Sequence, residues 1–525
     1  MKTMISYRRL VVGLTESLRT FLQRSGRTAI VMAVIALCAV SCNFLDKHDV
    51  DAMEPDKFYK NANDMEGVLA SAYAAIRPAY DKLFFVTEMK SDNATTTDMG
   101  TSGGLYYTFV SHNVTSNNSV VASIYNAFYI CIHRCNLVLE HIDGVSMPQE
   151  QKDRIRGEAL FLRALSHFYL TRLWGRVTIM SHTVSSSEEA LSKSRNPQSE
   201  VYAFIINDLK RIADTDVLPA NCRGEQFGHA SKTAACALLG RVYLQQAATQ
   251  NKPELYNNAI TYLERALSVS GYQGLTLAYN KLFTLDNQTD NEIIFPIMYM
   301  GNSSEGSNFA QYFQPMGATG LTHSQPGRGF NAGQKNLYDE FERIENGFAD
   351  ADRPRATTAI VEHEDGSFYT KKYVDLTSAS GCGKNLWFEL RFGDVYLMLA
   401  EAYERVEGDA SANAIKYLDM VRTRTSSRAK KYEVAITDPK YRATYPTLRD
   451  AIFHERRVEL CFENQRWFDL QRKYPNAEDF VSYMRSVQEP NAGNKYTGFQ
   501  KYELLLPIPY DEVFLNPGLG QNDGY

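Results

Sequence analysis

The stretch Leu239-Gly240-Arg241-Val242-Tyr243 begins a pattern that continues at Ala259, Leu263 and Ala266. The small residues of this pattern allow two antiparallel helices to approach closely, and Tyr243 and Leu263 fill the gap between them. Such spacing is typical of a tetratricopeptide helix pair. A second stretch, about 160 residues further along, repeats the pattern with Ala400, Tyr403, Ala414, Leu418 and Val421. Because the two stretches lie so far apart, we predict scattered helix pairs and not a regular tandem array.

Helical periodicity extends over much of the remaining chain. From Asp64 onward, apolar residues recur at three- and four-residue spacing, which predicts a helix that ends before Pro78. Ser146-Met147-Pro148-Gln149 resembles an N-terminal helix cap. The helix that it begins is expected to continue to Trp174 and to end at Gly175.

Residues 271–383 depart from this pattern, because they are poor in long helical repeats and rich in Gly, Ser, Asn and aromatic residues. They include a candidate strand, Glu292 to Tyr299. We therefore predict a mainly α fold in which tetratricopeptide-like helix pairs form a superhelical scaffold. The segment 271–383 is predicted to be a loop-rich insertion with short strands, and such insertions often carry binding residues.

Composition indicates a folded protein that does not bind nucleic acid. The chain has 525 residues, of which 44% are hydrophobic and 22% are charged, and these are globular values. Residues 1–41 hold six basic residues and one acidic residue, which leaves 50 basic against 60 acidic residues in the remainder. This acidic remainder shows no basic footprint for nucleic acid.

The N-terminus has the pattern of an export signal. A basic segment precedes Ala29–Val40, a run of 12 apolar residues that is too short to span a bilayer. Small residues then lead directly to Cys42, as in a bacterial lipobox, so we predict that residues 1–41 are a signal peptide and that Cys42 is acylated. Cys38 fits less well because it follows Leu37. An ordinary signal peptide remains the alternative, and Met4 or Met32 could be the true start.

The sequence offers little support for catalysis or for a bound metal or cofactor. His454-Glu455-Arg456-Arg457-Val458 begins like a zinc-protease helix but lacks the second histidine. Asp286, Gln288 and Asp290 resemble a calcium loop only superficially, since Asn291 stands where glycine is needed. We predict no metal, no cofactor and no enzymatic activity, although paired carboxylates for glycoside hydrolysis depend on distance in space and stay open.

Two loop segments, 91–118 and 299–330, hold the candidate ligand residues. Their aromatic rings lie among Gly, Ser, Asn and Thr and not on periodic helix faces. A flat ring covers the apolar face of a sugar, while nearby polar groups bond to its hydroxyls. The predicted ligand residues are Asp92, Asn93, Tyr106, Tyr107, Tyr299, Asn308, Tyr312 and Phe313, with Trp387 as a weaker candidate. The alternative is that these tyrosines only hold the long loops in place.

Other prominent residues are predicted to be structural. Trp174 closes a helix beside Gly175, and Trp467 begins a short amphipathic segment. Arg456, Arg457, Glu459, Glu463, Arg466 and Asp469 are expected to form an ion-pair network that stabilises the fold.

Several motifs, in order along the chain, carry a resemblance to the SusD/RagB family. They are Cys42-Asn43-Phe44-Leu45-Asp46 and residues 163–175, 390–402, 455–460, 466–470, 505–509, 515–517 and 521–525. Because these motifs span nearly the whole mature chain, the chain is identified as a member of that family. The resemblance divides the mature chain into an N-terminal helical region, 42–270, and a C-terminal region, 271–525.

The resemblance implies a lipoprotein anchored at the outer face of the outer membrane of Bacteroidota-type bacteria. Such proteins bind oligosaccharides, or in some branches peptides, and act as the lid of a SusC-like TonB-dependent transporter. The matching motifs belong to the scaffold, so no ligand residue can be transferred from the family. A surface glycan hydrolase and a helix-repeat adaptor that binds only proteins are the alternative functions.

Overall fold

The predicted helix pair at 239–266 is present in the computed structural model, which describes residues 59–98, 100, 104–345, 355–487 and 498–525. Helices Lys232–Thr249 and Leu255–Ser270 pack against each other. A Cβ atom added at Gly240 would lie 2.5 Å from Cγ of Leu263, so the absence of a side chain at this position permits the close approach. Tyr243 stacks on Tyr262, with ring centroids 5.8 Å apart.

The second predicted pair is also confirmed. Helices Phe392–Glu407 and Ala412–Arg422 pack together, and the first of them also packs against Leu255–Ser270. Ala400, Ala414 and Leu418 are fully buried between them. The scaffold is therefore built from helix pairs that are distant in sequence and adjacent in space.

The fold is mainly helical, as predicted. The α-helices of the described residues, labelled α1 to α21 in chain order, are Ala62–Tyr80, Leu83–Thr87, Tyr107–Val110, Ser119–His141, Gln149–Trp174, Ser187–Ser192, Gln198–Ala213, Lys232–Thr249, Leu255–Ser270, Tyr279–Leu282, Phe309–Tyr312, Lys335–Glu345, Ala356–Ala359, Phe392–Glu407, Ala412–Arg422, Tyr432–Ala435, Pro439–Thr444, Leu448–Leu460, Arg466–Lys473, Ala477–Ser486 and Tyr510–Leu515. The strands, β1 to β6, are Ala94–Thr95, Ile293–Ile297, Ala332–Gly333, Val361–Glu362, Phe368–Tyr369 and Trp387–Arg391.

Two helix ends differ from the sequence prediction. Helix α1 continues past Pro78 to Tyr80, because a proline this close to the C-terminal end removes a single hydrogen bond from the last turn. Helix α5 begins at Gln149 directly after Pro148, and its first turn receives no side-chain cap, so the predicted Ser146 cap is wrong. Its C-terminal end is as expected, since Gly175 has φ of 76°.

The described part of the segment 271–383 contains only short helices and strands apart from α12, in agreement with the predicted loop-rich insertion. The candidate strand is confirmed as β2, which pairs antiparallel with β6. A small four-stranded sheet has the order β1-β3-β5-β4 and joins the loop after α2 to this insertion. The predicted signal peptide and Cys42 lie outside the described residues.

Candidate ligand-binding surface

An aromatic surface forms where the loop before α3 meets the segment 309–330. Its floor is helix α2, whose Phe84 and Phe85 are buried. Tyr106 stacks on Phe85, with centroids 4.6 Å apart and ring planes at 13°. Phe330 lies between the two tyrosines, 4.5 Å from the ring of Tyr106 and 5.1 Å from the ring of Tyr312. The two predicted tyrosines, which are more than 200 positions apart in the sequence, are thus brought together in the fold.

Both tyrosines remain partly exposed and share a charged neighbour. Burial raises the pKa of Tyr312 to about 12, and the charge of Asp81 adds to that shift, whereas Arg328 opposes it. Burial likewise raises the pKa of Tyr106, Asp98 adds to the shift, and Arg328 again opposes it. The exposed Arg328 therefore lies near both hydroxyl groups. We call Tyr106, Tyr312, Phe330 and Arg328 the Tyr106–Tyr312 surface.

Gln314 holds the loop that carries part of this surface. This side chain is fully buried, and its Nε2 donates to the carbonyl oxygens of Ala318 and Gln325, at 2.7 and 2.9 Å. Its Oε1 accepts hydrogen bonds from the backbone N–H groups of Leu321, Thr322 and His323. One side chain thereby fixes the turns of residues 315–325, and no local pattern in the sequence marks Gln314 for this role.

Gly329 joins the loop to the strand region after α2. Its carbonyl oxygen accepts hydrogen bonds from the N–H of Thr97 at 2.9 Å and from Oγ1 of Thr96 at 3.1 Å. Its φ of 62° favours glycine, and a Cβ atom there would lie 1.9 Å from Oγ1 of Thr97. Phe330 therefore follows a position that only glycine can occupy without a rearrangement of the backbone or of Thr97.

Burial argues against the predicted ligand roles of Asp92 and Asn93. Asp92 is fully buried and accepts two hydrogen bonds from Arg466, each 2.7 Å long. Burial alone would raise the pKa of Asp92, but Arg457 and Arg466 lower it well below its usual range. Asn93, also fully buried, accepts a hydrogen bond from Arg457 and donates one to Glu88. Both side chains are engaged within the protein.

Tyr299, Phe313 and Trp387 are also placed in the interior. The Tyr299 hydroxyl donates to Asp81 at 3.0 Å, and the ring is 5% exposed. Phe313 is 1% exposed and packs edge-on against Phe84, 5.0 Å away. Trp387 is fully buried and stacks on Tyr373. These three rings therefore belong to the hydrophobic core in this structure.

The two remaining candidates lie closer to solvent. Tyr107 is 36% exposed and is the first residue of α3, next to Tyr106. Asn308 is half-buried, and its carbonyl oxygen accepts the N–H of Tyr312 at 2.9 Å. Both positions border the Tyr106–Tyr312 surface in sequence, and their ligand roles stay predictions.

The residues predicted to be structural have structural contacts. Trp174 is fully buried and donates from Nε1 to the carbonyl oxygen of Pro507 at 2.8 Å. Trp467 is 1% exposed. Of the expected ion-pair network, Arg456 does pair with Asp469, whereas Arg466 pairs with Asp92, which lies outside the predicted set.

Within the described ranges, every helix is too short or too polar to span a lipid bilayer. In the same part of the chain, His, Cys, Asp and Glu side chains do not gather in groups of three that could hold a metal ion.

Comparison with known proteins agrees with the motifs of the scaffold. A family model described as SusD family matches residues 279–525, and one described as starch-binding associating with outer membrane matches residues 43–244. SusD-like protein P2 of Formosa agariphila is 26% identical over 94% of this chain and 99% of its own length. The chain belongs to the SusD family.

Solved structures show the same fold for this SusD-family protein. The SusD homolog from Bacteroides thetaiotaomicron matches with a TM-score of 0.73 and 18% identity, over 90% of this chain and 100% of that one. A laminarin binding SusD-like protein matches with a TM-score of 0.71 and 24% identity, over 89% of this chain and 100% of that one. The overall fold is therefore shared with these SusD-like proteins.

Proposed function

We propose that this SusD-family protein binds oligosaccharide nutrients at the Tyr106–Tyr312 surface and is not an enzyme. The observation that carries the proposal is the placement of two partly exposed tyrosine rings around Phe330, and the charge of the exposed Arg328 acts on the pKa of both tyrosines. Rings of this kind cover the apolar face of a sugar, and the hydroxyl and guanidinium groups bond to its rim. The names of the starch-binding family model and of the laminarin binding neighbour support a glycan as the ligand.

The architecture of the surface suits capture followed by release. The rings of Tyr106 and Tyr312 are held from below by Phe85 and Phe84, so little side-chain freedom is lost when a ligand binds. Because each tyrosine ring is only partly exposed, a ligand contacts a limited area of it, and we expect moderate affinity and fast dissociation. Those properties suit a protein that passes its ligand to a transporter.

The proposed setting is the outer membrane. Acylation of Cys42 attaches the protein to the membrane, with the folded part facing the cell exterior. From there it delivers ligand to a SusC-like TonB-dependent transporter and acts as the transporter's lid. The family model described as associating with outer membrane supports this location.

A panel of neutral polysaccharides in affinity gel electrophoresis tests the binding proposal. Retardation by at least one glycan, without any release of reducing ends, is the expected result. A protein that binds none of the neutral glycans in the panel would contradict the proposal. Liberated reducing ends would indicate a hydrolase.

Membrane fractionation tests the anchor. In a strain that lacks the transporter, Cys42→Ala should release the protein from the membrane. Cys38→Ala is the matched control and should leave the protein attached. Retention of the Cys42→Ala protein on the membrane would contradict the proposed anchor.

A further inference from the structure

A cleft elsewhere on the scaffold shares no residue with the Tyr106–Tyr312 surface. It has a volume of about 410 Å³ and forms where the C-terminal end of α9 meets the turn before β2 and the start of α14. Sites for small molecules have volumes of about 300–1,000 Å³. The cleft is therefore large enough for a sugar unit.

One wall of the cleft is a fixed aromatic ring. Tyr272 stacks on Phe392 with centroids 4.1 Å apart and ring planes at 7°. Phe392 is 1% exposed and supports one face of the Tyr272 ring from the interior. The N–H of Tyr272 also donates to Oγ of Ser270 at 3.2 Å. Tyr272 itself is only half-buried and lines the cleft, so the ring is held in place before any ligand arrives.

Polar groups with fixed positions also line the cleft. The guanidinium of Arg223 donates to the carbonyl oxygens of Ile293 at 2.9 Å and Asn291 at 3.2 Å, which leaves further N–H groups of the same side chain. The Oδ1 atom of Asp290 accepts a hydrogen bond from the N–H of Glu292 at 2.7 Å, and other lone pairs of the carboxylate are left to accept hydrogen bonds from a ligand. A donor and an acceptor are thus both held by the backbone.

The charges of the cleft favour an uncharged ligand. Burial lowers the pKa of Arg223, and the negative charge of Asp290 opposes that shift, so these two groups lie near each other. Their charges compensate within the cleft, and a free anion or cation would gain little by entering. A ligand with an apolar face and many hydroxyl groups matches the ring, the donor and the acceptor at once.

We infer that this cleft is a second carbohydrate site that binds one hexose or pentose unit of a neutral glycan. The inference rests on the proposed function for the class of ligand and does not depend on where the first site lies. Two sites on one chain allow both to engage the same long polysaccharide, which raises the avidity above that of either site.

The test uses saturation-transfer difference NMR with glucose, galactose, mannose and xylose as separate probes, on the full mature chain. The Tyr106→Ala/Tyr312→Ala variant removes the first surface and should still give a signal with at least one of the four sugars. Adding Thr276→Trp, which places a large ring at an exposed position of the cleft, should reduce that signal at least about fivefold. Thr261→Trp, at an exposed position of α9 outside the cleft, is the matched control and should leave the signal unchanged.

Each outcome separates the two proposals. Loss of all signal in the Tyr106→Ala/Tyr312→Ala variant, or a signal that Thr276→Trp leaves intact, would overturn the second site. A wild-type protein that gives no signal with any of the four sugars would overturn it as well. A signal that Tyr106→Ala/Tyr312→Ala leaves undiminished and Thr276→Trp abolishes would support the cleft and contradict the Tyr106–Tyr312 surface.

Discussion

At the scale of single residues, partners that are distant in the sequence decide which loop side chains a ligand can reach. Tyr106 and Tyr312 lie in loops rich in small polar residues, and the structure leaves both partly exposed. Asp92 and Asn93 lie in the same kind of sequence, yet they are buried because Arg457 and Arg466 reach them from more than 360 residues away. Local composition does not reveal such distant partners. Gln314 was missed for the same reason.

Gly329 gives a residue-scale prediction for the loop that carries Phe330. Gly329→Ala would place Cβ 1.9 Å from Oγ1 of Thr97 and would keep an unfavourable φ of 62°, so we expect a loss of more than about 1 kcal/mol in unfolding free energy. Sugar binding should weaken as well, because Phe330 follows directly. Chemical denaturation and calorimetry measure the two effects.

Gly317 provides the matched control for this variant. It also has positive φ, 75°, but an added Cβ would meet nothing within 4 Å. Gly317→Ala should therefore cost only the backbone strain. Equal losses for the two variants would show that the contact with Thr97 is unimportant.

At the scale of elements, the helix pairs were the most predictable feature. The spacing of Gly240, Ala259 and Leu263 reflects direct contact between α8 and α9, and such contact leaves a local pattern in the sequence. The ends of helices were less predictable. The ends of α1 and α5 show that a proline does not fix a boundary by itself, since the hydrogen bonds around it decide where the helix starts or stops.

Gly240 tests the role of the helix pair in stability. Gly240→Ala would bring Cβ to 2.5 Å from Cγ of Leu263 and force α8 and α9 apart, which typically costs about 1–3 kcal/mol. Adding Leu263→Ala should relieve part of that clash. Thermal denaturation measures each variant.

The control for Gly240 is another helical glycine. An added Cβ at Gly67 in α1 would meet nothing within 4 Å, so Gly67→Ala should raise stability by about 0.5–1 kcal/mol through helix propensity. If Gly240→Ala is as well tolerated as Gly67→Ala, the close approach of the two helices is not required.

At the scale of the whole molecule, buried ion pairs join the segment after α2 to helices α18 and α19. Asp92 lies between α2 and β1, and its partner Arg466 is the first residue of α19. Tyr483 donates a further hydrogen bond of 2.6 Å to the same carboxylate. The positions of these groups follow from the complete fold, so no local sequence pattern could predict them.

Asp92→Asn should destabilise the whole protein by about 3–5 kcal/mol at pH 7, because it leaves the buried Arg466 without its counter-charge. The folded-state pKa of Asp92 is depressed, so its contribution is fully present above the unfolded pKa of about 3.9 and is lost as pH falls below it. The difference between wild type and variant, measured by chemical denaturation, should stay constant near neutral pH and narrow below about pH 4.

The pair of Asp216 and Lys232, in which the Asp216 side chain is 94% exposed, is the control for Asp92. Asp216→Asn should leave the melting temperature unchanged, because water screens this pair. A variant of Asp92 that is as stable as the Asp216 variant would show that the buried network does not hold these segments of the chain together.

Titration calorimetry of the Tyr106→Ala/Tyr312→Ala variant, with the glycan that the wild type binds best, tests the central claim most directly. Loss of the two tyrosine rings that contact the sugar should weaken binding at least about tenfold, while the melting temperature stays close to that of the wild type. Tyr510→Ala, which removes a tyrosine that is 49% exposed on α21, is the matched control and should bind like the wild type. Undiminished affinity in the Tyr106→Ala/Tyr312→Ala variant would contradict the assignment of the ligand surface.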